Sequence, residues 1–153
     1  MEREHATAAI AEKLERLLVP GEQWLMHRVL EYAQEYGYTA YASTLEEAWR
    51  LSINGLTGAL IESARVNAND LELRCEADWS EDPAAHFGVE EARKHRARGI
   101  PFEMFLSLMK YYSQAYVDLC KTLPDREDAS ACERAVTRYF DRVEIAFSSE
   151  WAG

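Results

Sequence analysis

Apolar residues return every third or fourth position along most of this chain, the spacing that one face of an α-helix produces. Over residues 4–18 they are Ile10, Leu14, Leu17 and Leu18. Pro20 and Gly21 break that run, and Trp24, Leu25, Val29, Tyr32 and Tyr36 repeat the pattern over 22–36, where Gly37 predicts a stop. The stretch STLEEAWRLSINGLTGALIESARV opens with a helix-start signature. Ser43 precedes Glu46, and Thr44 precedes Glu47, at the capping-box spacing. Leu45, Ala48, Trp49, Ile53, Leu56, Leu60 and Ile61 then share one stripe.

Residues 67–82 break the periodicity. Leu71, Leu73 and Cys75 alternate with charged positions, which predicts a long connection, extended or loosely turned. A helix resumes at Pro83 and runs to Gly99. Over 101–122, Phe102, Phe105, Leu106, Met109, Tyr112, Tyr116, Leu119 and Cys120 form one broad face, while Met104, Leu108, Tyr111 and Ala115 make its neighbour apolar too. A helix so apolar around its circumference is either central to the core or shared with a second subunit. After Pro124, residues 126–151 place Val136, Phe140, Val143 and Phe147 at 4-3-4 spacing, the seam of a helical pair. Met104 and Leu108 with those four residues are the expected contacts of a homodimer and the expected relay between helices. No alternating strand, hairpin turn or fixed-period repeat is visible. The expectation is an all-α fold, a single bundle of about six helices spanning 1–153.

Composition narrows the function classes. With 48% hydrophobic and 29% charged residues the chain resembles ordinary globular domains, not disordered ones. A formal net charge of -10 and a pI near 4.9 argue against nucleic acid and against an anionic membrane surface. The N-terminus MEREHATAAIAEKLERLL lacks the apolar core of a signal peptide, and no apolar run approaches the roughly 18–20 residues of a membrane span. Three cysteines, Cys75, Cys120 and Cys132, form no CxxC pair and suggest a reducing, cytoplasmic setting.

No nucleotide-binding glycine loop, HExxH or GxSxG motif occurs, and no set of acids, imidazoles and hydroxyls forms a catalytic constellation. The chain is not expected to be an enzyme. Gly55 and Gly58 inside a helical stripe read either as close helix packing or as room for a ligand beside the backbone. In the second reading Trp49, Gly55, Gly58, Tyr111 and Tyr112 would line a small-molecule pocket. Of the four histidines, His5 lies near the terminus and His27 shares the second helix with Trp24. His86 or His95 would be the ligand of a haem, for which one imidazole suffices. His95 sits among charges near a helix end, a poor place for one, and no cofactor is expected.

The segment EARKHRARG crowds Arg93, Lys94, His95, Arg96 and Arg98 into six positions. Helix C-termini carry exposed carbonyls and partial negative charge, so cations are favoured there, and Gly99 can supply the left-handed residue that ends the helix. Helix punctuation is favoured over the competing reading, an anion site.

The segment HFGVEEARKHRARGIPFEMFLSLMKYYSQAYVDL resembles the N-terminal globin-like domains of stressosome co-antagonists of the RsbR type, and related modules that precede PAS, histidine-kinase or diguanylate-cyclase domains. The likeness covers roughly residues 86–119, with His95, Arg96, Gly99, Phe105, Tyr111 and Tyr112 as matching landmarks; residues 1–82 carry none. It implies a globin-like fold that typically lacks haem, forms a dimer and feeds a signal to an output domain. It carries over no active-site residue. Such proteins usually continue where this chain ends in SSEWAG, so an excised sensor or a stand-alone partner protein is expected. The functional expectation is a non-catalytic bacterial sensor or regulatory domain, the alternative a small-molecule or haem-binding globin-like domain.

Overall fold

The computed structural model describes residues 2–40, 46–67, 70–75 and 78–153, the side chains of 2–9 and 40 excepted. Six α-helices occupy most of them: α1 (Glu2–Leu18), α2 (Glu22–Glu35), α3 (Glu46–Val66), α4 (Pro83–Ala97), α5 (Phe102–Cys120) and α6 (Arg126–Ala152), with a 3-10 turn at Tyr38–Ala40. No strand occurs among the described residues, and the fold is an all-α helical bundle. The capping boxes expected at Ser43 and Thr44 lie outside the described residues.

Local chemistry sets several boundaries. Asp82 accepts a hydrogen bond from the Ala84 amide at 3.2 Å, and Pro83 follows it at the first position of α4. Asp125 caps α6 through the Asp128 amide at 2.9 Å. At the other end of α4, Gly99 has φ +74°, its amide bonds Arg96 O, and the Ile100 amide bonds His95 O, each at 3.1 Å. This pair of bonds is a Schellman stop, so Gly99 does end the helix in the left-handed region.

One apolar core lies between the helices. From α5 it takes Phe105, Met109, Tyr112, Tyr116 and Leu119; from α6, Val136, Tyr139, Phe140, Val143 and Phe147. Two buried tyrosine hydroxyls tie these helices to α3. Tyr139 donates to Leu56 O at 2.8 Å; Tyr116 donates to Ile53 O at 3.1 Å and shares a 2.6 Å hydrogen bond with Thr57. Cys120 and Cys132 are buried in the same core.

The closest helix crossing joins α4 to α6. A Cβ added at Gly88 would lie 2.3 Å from Val143 O and 3.0 Å from the Phe147 amide. Only glycine lets these backbones meet. Gly55 and Gly58 differ: a Cβ at Gly55 would touch the Phe87 ring at 3.1 Å, and one at Gly58 would meet nothing within 4 Å. Within the helices, the glycine in backbone contact with a neighbouring helix is therefore Gly88, and Gly58 stands in open space.

The described residues of 67–82 form neither helix nor strand, and they are fastened to α6 by Arg142. Its guanidinium pairs with Asp82 at 2.9 Å and donates to the backbone carbonyls of Leu71, Asp70 and Glu72 at 2.8, 3.2 and 2.8 Å. The two side chains are 4% and 2% exposed. Ser63 and Asn67, at the end of α3, also donate to Asp82. Trp79 lies under the guanidinium, 5.3 Å from the ring centre.

Three outcomes are expected in urea unfolding. Gly88→Ala should lose about 1–3 kcal/mol or more to backbone overlap, whereas Gly58→Ala should gain up to about 1 kcal/mol from helix propensity. Equal effects at the two sites would contradict the crossing. Arg142→Met should lose about 3–5 kcal/mol, because it leaves the Asp82 carboxylate buried without its cation.

Candidate functional site

The apolar faces of α3, α4 and α5 do not close completely where α4 ends. A cavity of about 220 Å3 remains, walled by Trp49, Ser52 and Leu56 from α3, Phe87, Glu91 and His95 from α4, and Met104, Phe105, Leu108, Met109 and Tyr112 from α5. Tyr38, Ala48, Arg98 and Ile100 complete it. Trp49 and Tyr112 stack with ring centres 6.0 Å apart, and His95 lies against Phe105 at 4.1 Å. Burial pushes the Tyr112 hydroxyl well above the ordinary tyrosine value, with a hydrogen bond to Ser52 opposing. It therefore remains a neutral hydroxyl at physiological pH.

The polar side of the cavity belongs to the last turn of α4. His95 Nδ1 bonds the Glu91 carbonyl at 2.7 Å; a carbonyl only accepts, so Nδ1 carries the hydrogen. Nε2 is left without a hydrogen-bond partner among the described residues. The Glu91 carboxylate lies 3.5 Å from His95 Nδ1 and 3.8 Å from Lys94.

The other cations of the cluster serve a different helix end. Arg93 pairs with Glu150 at 2.9 Å, and Arg96 donates to the carbonyls of Glu150 and Trp151 at 3.0 and 3.1 Å. Arg96 thus meets exposed carbonyls at the end of α6 and Arg93 the Glu150 side chain, while the Gly99 stop takes the carbonyls of His95 and Arg96 in α4. Arg98 is exposed, on the cavity wall, and faces no carboxylate within ion-pair distance among the described residues.

An aromatic series runs from the cavity to the same helix end. His95 contacts Phe105, Phe105 stacks on Phe147 at 4.5 Å, and Phe147 meets Trp151 at 5.3 Å. Phe102 touches both Phe147 and Trp151.

Of the expected pocket residues, Trp49 and Tyr112 line the cavity and three do not. Tyr111 turns to the other side of α5, stacked on Tyr36 at 4.9 Å and close to Tyr32 and Tyr38. Gly55 faces an open groove that adjoins the cavity at Phe87, and Gly58 lines no part of the cavity. Of the residues that carry the resemblance noted in the sequence, His95, Phe105 and Tyr112 come together here, Arg96 holds α6, and Gly99 ends α4.

The expected subunit seam is also corrected. Val136, Phe140, Val143 and Phe147 are buried within the chain, so no second copy can cover them. The 4-3-4 spacing marks a helical pair, but the partners are α4 and α5 of the same chain. Met104 and Leu108 are half-buried at the cavity.

The cavity volume of 220 Å3 is below the roughly 300 Å3 at which drug-sized sites begin, and along α3 and α4 the cavity adjoins an open groove of about 740 Å3 that shares Ser52, Phe87, Glu91, His95 and Arg98 with it. His86 lies outside the cavity, its ring hydrogen-bonded to the Ser80 carbonyl. No group of three or more potential metal ligands is assembled among the described residues, and no helix among them is long and apolar enough to cross a membrane. No family model, curated protein or solved structure matches this chain.

The outer face of α5 and α6 carries Leu106 and Ile145, beside Leu73 of the connection; Leu73 and Ile145 are 41% and 44% exposed. Between them Lys110 pairs with Glu144 at 2.6 Å, while Glu144 Oε1 is buried without a partner. Burial raises the Glu144 carboxyl above its ordinary value of 4.5, although Lys110 opposes the shift. The folded chain then holds this proton more tightly than the unfolded chain, and ionisation destabilises the fold as pH rises past 4.5. Glu144→Gln should match the parent at pH 4 and exceed its urea midpoint at pH 7; a less stable variant at pH 7 would show that the ion pair outweighs burial.

Proposed function

We propose that this chain is a non-catalytic sensory or regulatory domain of bacterial signal transduction, of the globin-like kind that its 86–119 segment resembles. In this reading a small molecule occupies the α3–α4–α5 cavity, and its presence is passed to the end of α6. An output region, such as a histidine kinase or diguanylate cyclase, responds there. One observation carries the proposal: the last turn of α4 has two attachments. His95 and Arg98 belong to the cavity wall, while Arg93 holds the Glu150 side chain and Arg96 the last carbonyls of α6. A ligand that displaces this turn also disturbs those bonds, and the Phe105–Phe147–Trp151 contacts carry the same displacement through the core.

Homodimerisation belongs to the proposal as well. With the inner seam of α6 buried, the outer face around Leu106 and Ile145 is the surface for a second copy.

A fragment screen by NMR on the whole chain tests the relay. Fragments that shift the Trp49 and His95 resonances should also shift those of Glu150–Ala152, and Arg96→Ala should abolish the second set while keeping the first. Failure of every fragment to reach the cavity at millimolar concentration would refute the sensory reading, as would binding that leaves the end of α6 unmoved. Sedimentation at micromolar concentration should show a dimer that Ile145→Glu dissociates; a monomer would remove the dimer from the proposal.

A further inference from the structure

We infer that the cavity accepts a small aromatic carboxylate, one ring with its acid group at the Arg98 side. This rests on the sensory reading and specifies the ligand. Size sets the first limit. An apolar cavity of about 150 Å3 holds one benzene ring, so 220 Å3 has room for one ring and a short polar group. Shape and chemistry favour a flat body: Trp49 and Tyr112 lie stacked on one side, and Phe105 adds a further ring to the wall.

Charge sets the second limit. Three ionisable side chains of the α4 end line the cavity: Glu91, His95 and Arg98. Glu91 already faces Lys94 and His95. Arg98 has no such partner among the described residues, and a guanidinium presents a fork of donors that matches a planar carboxylate. His95 Nε2 offers a second hydrogen-bonding position on the same wall. An amine would bring a second cation beside Arg98, and a neutral ring would leave that donor fork unused. The cluster that ends α4 therefore divides its work. Arg93 and Arg96 hold α6, and Arg98 receives the anion.

Benzoate is the probe, with benzyl alcohol as the neutral control of similar size, and binding to the whole chain is followed by NMR at the Trp49 indole N–H. Benzoate should bind more tightly than benzyl alcohol, and Arg98→Gln should weaken benzoate about tenfold or more while changing benzyl alcohol little. Arg98 is exposed and outside the core, so this variant keeps the fold. Leu108→Trp, which fills the cavity, should abolish both ligands. Equal affinity for the two ligands, unchanged by Arg98→Gln, would overturn the carboxylate while leaving the sensory cavity in place. Benzoate binding that depends on Arg98 but survives Leu108→Trp would also overturn it, since the anion would then sit on the surface. Binding of neither ligand would overturn the carboxylate; the fragment screen decides separately whether the cavity is sensory.

Discussion

The buried ion pair between Arg142 and Asp82 organises one half of this bundle. Arg142 leaves its own helix to satisfy three carbonyls of a connection that has no helix or strand to satisfy them. Asp82 in turn caps α4 and receives hydrogen bonds from the end of α3. One guanidinium thus fixes where the connection lies and where α4 begins. Buried ion pairs add little net stability compared with apolar packing, but they allow few alternative arrangements when every donor is used. Here the result is a single register for α4 along α6, with Gly88 at the crossing.

That register determines what the far end of α4 can do. Because Gly99 closes the helix on itself, the basic side chains of the last turn are not needed for their own carbonyls. They are free to reach α6 on one side and the cavity on the other. The aromatic residues of α5 fill the space between, and Phe105 touches both His95 and Phe147. The unusually apolar character of α5 follows from this position: its neighbours lie on several sides, within one chain.

Much of the architecture was legible because it is local. Helical spacing, the glycine and proline at the α4–α5 turn, and the break over 67–82 all reflect backbone constraints that act within a few residues. The cationic cluster was expected to serve the end of its own helix, whereas Arg93 and Arg96 reach Glu150, 57 and 54 residues along the chain, and spacing carries no such information. The α6 seam shows the same limit. Val136, Phe140, Val143 and Phe147 announce a helical partner without saying which chain supplies it. Arg142 left a faint signal, a charged residue beside a core stripe, and Gly88 another, a lone glycine inside a helix. Gly55 and Gly58 drew the attention instead because they stand in a longer apolar run. The pocket was half legible for a related reason. Trp49 and Tyr112 face inward at helical spacing, whereas Tyr111, one residue away, turns by about 100° around the axis and joins Tyr32 of α2 and Tyr36 and Tyr38 just beyond it.

The contact at Gly88 has a mechanical meaning. Where two backbones touch without side chains between them, there is no compressible layer, and sliding would drive carbonyl against Cα. Rotation about that point remains cheap by comparison. With its first turn pinned by Asp82, α4 resembles a beam held at one end and resting on a fulcrum, so bending is confined to the overhang beyond residue 88. That overhang carries His95, Arg96 and Arg98. The contact of His95 with Phe105 and the grip of Arg96 on the last carbonyls of α6 therefore sit on one short lever.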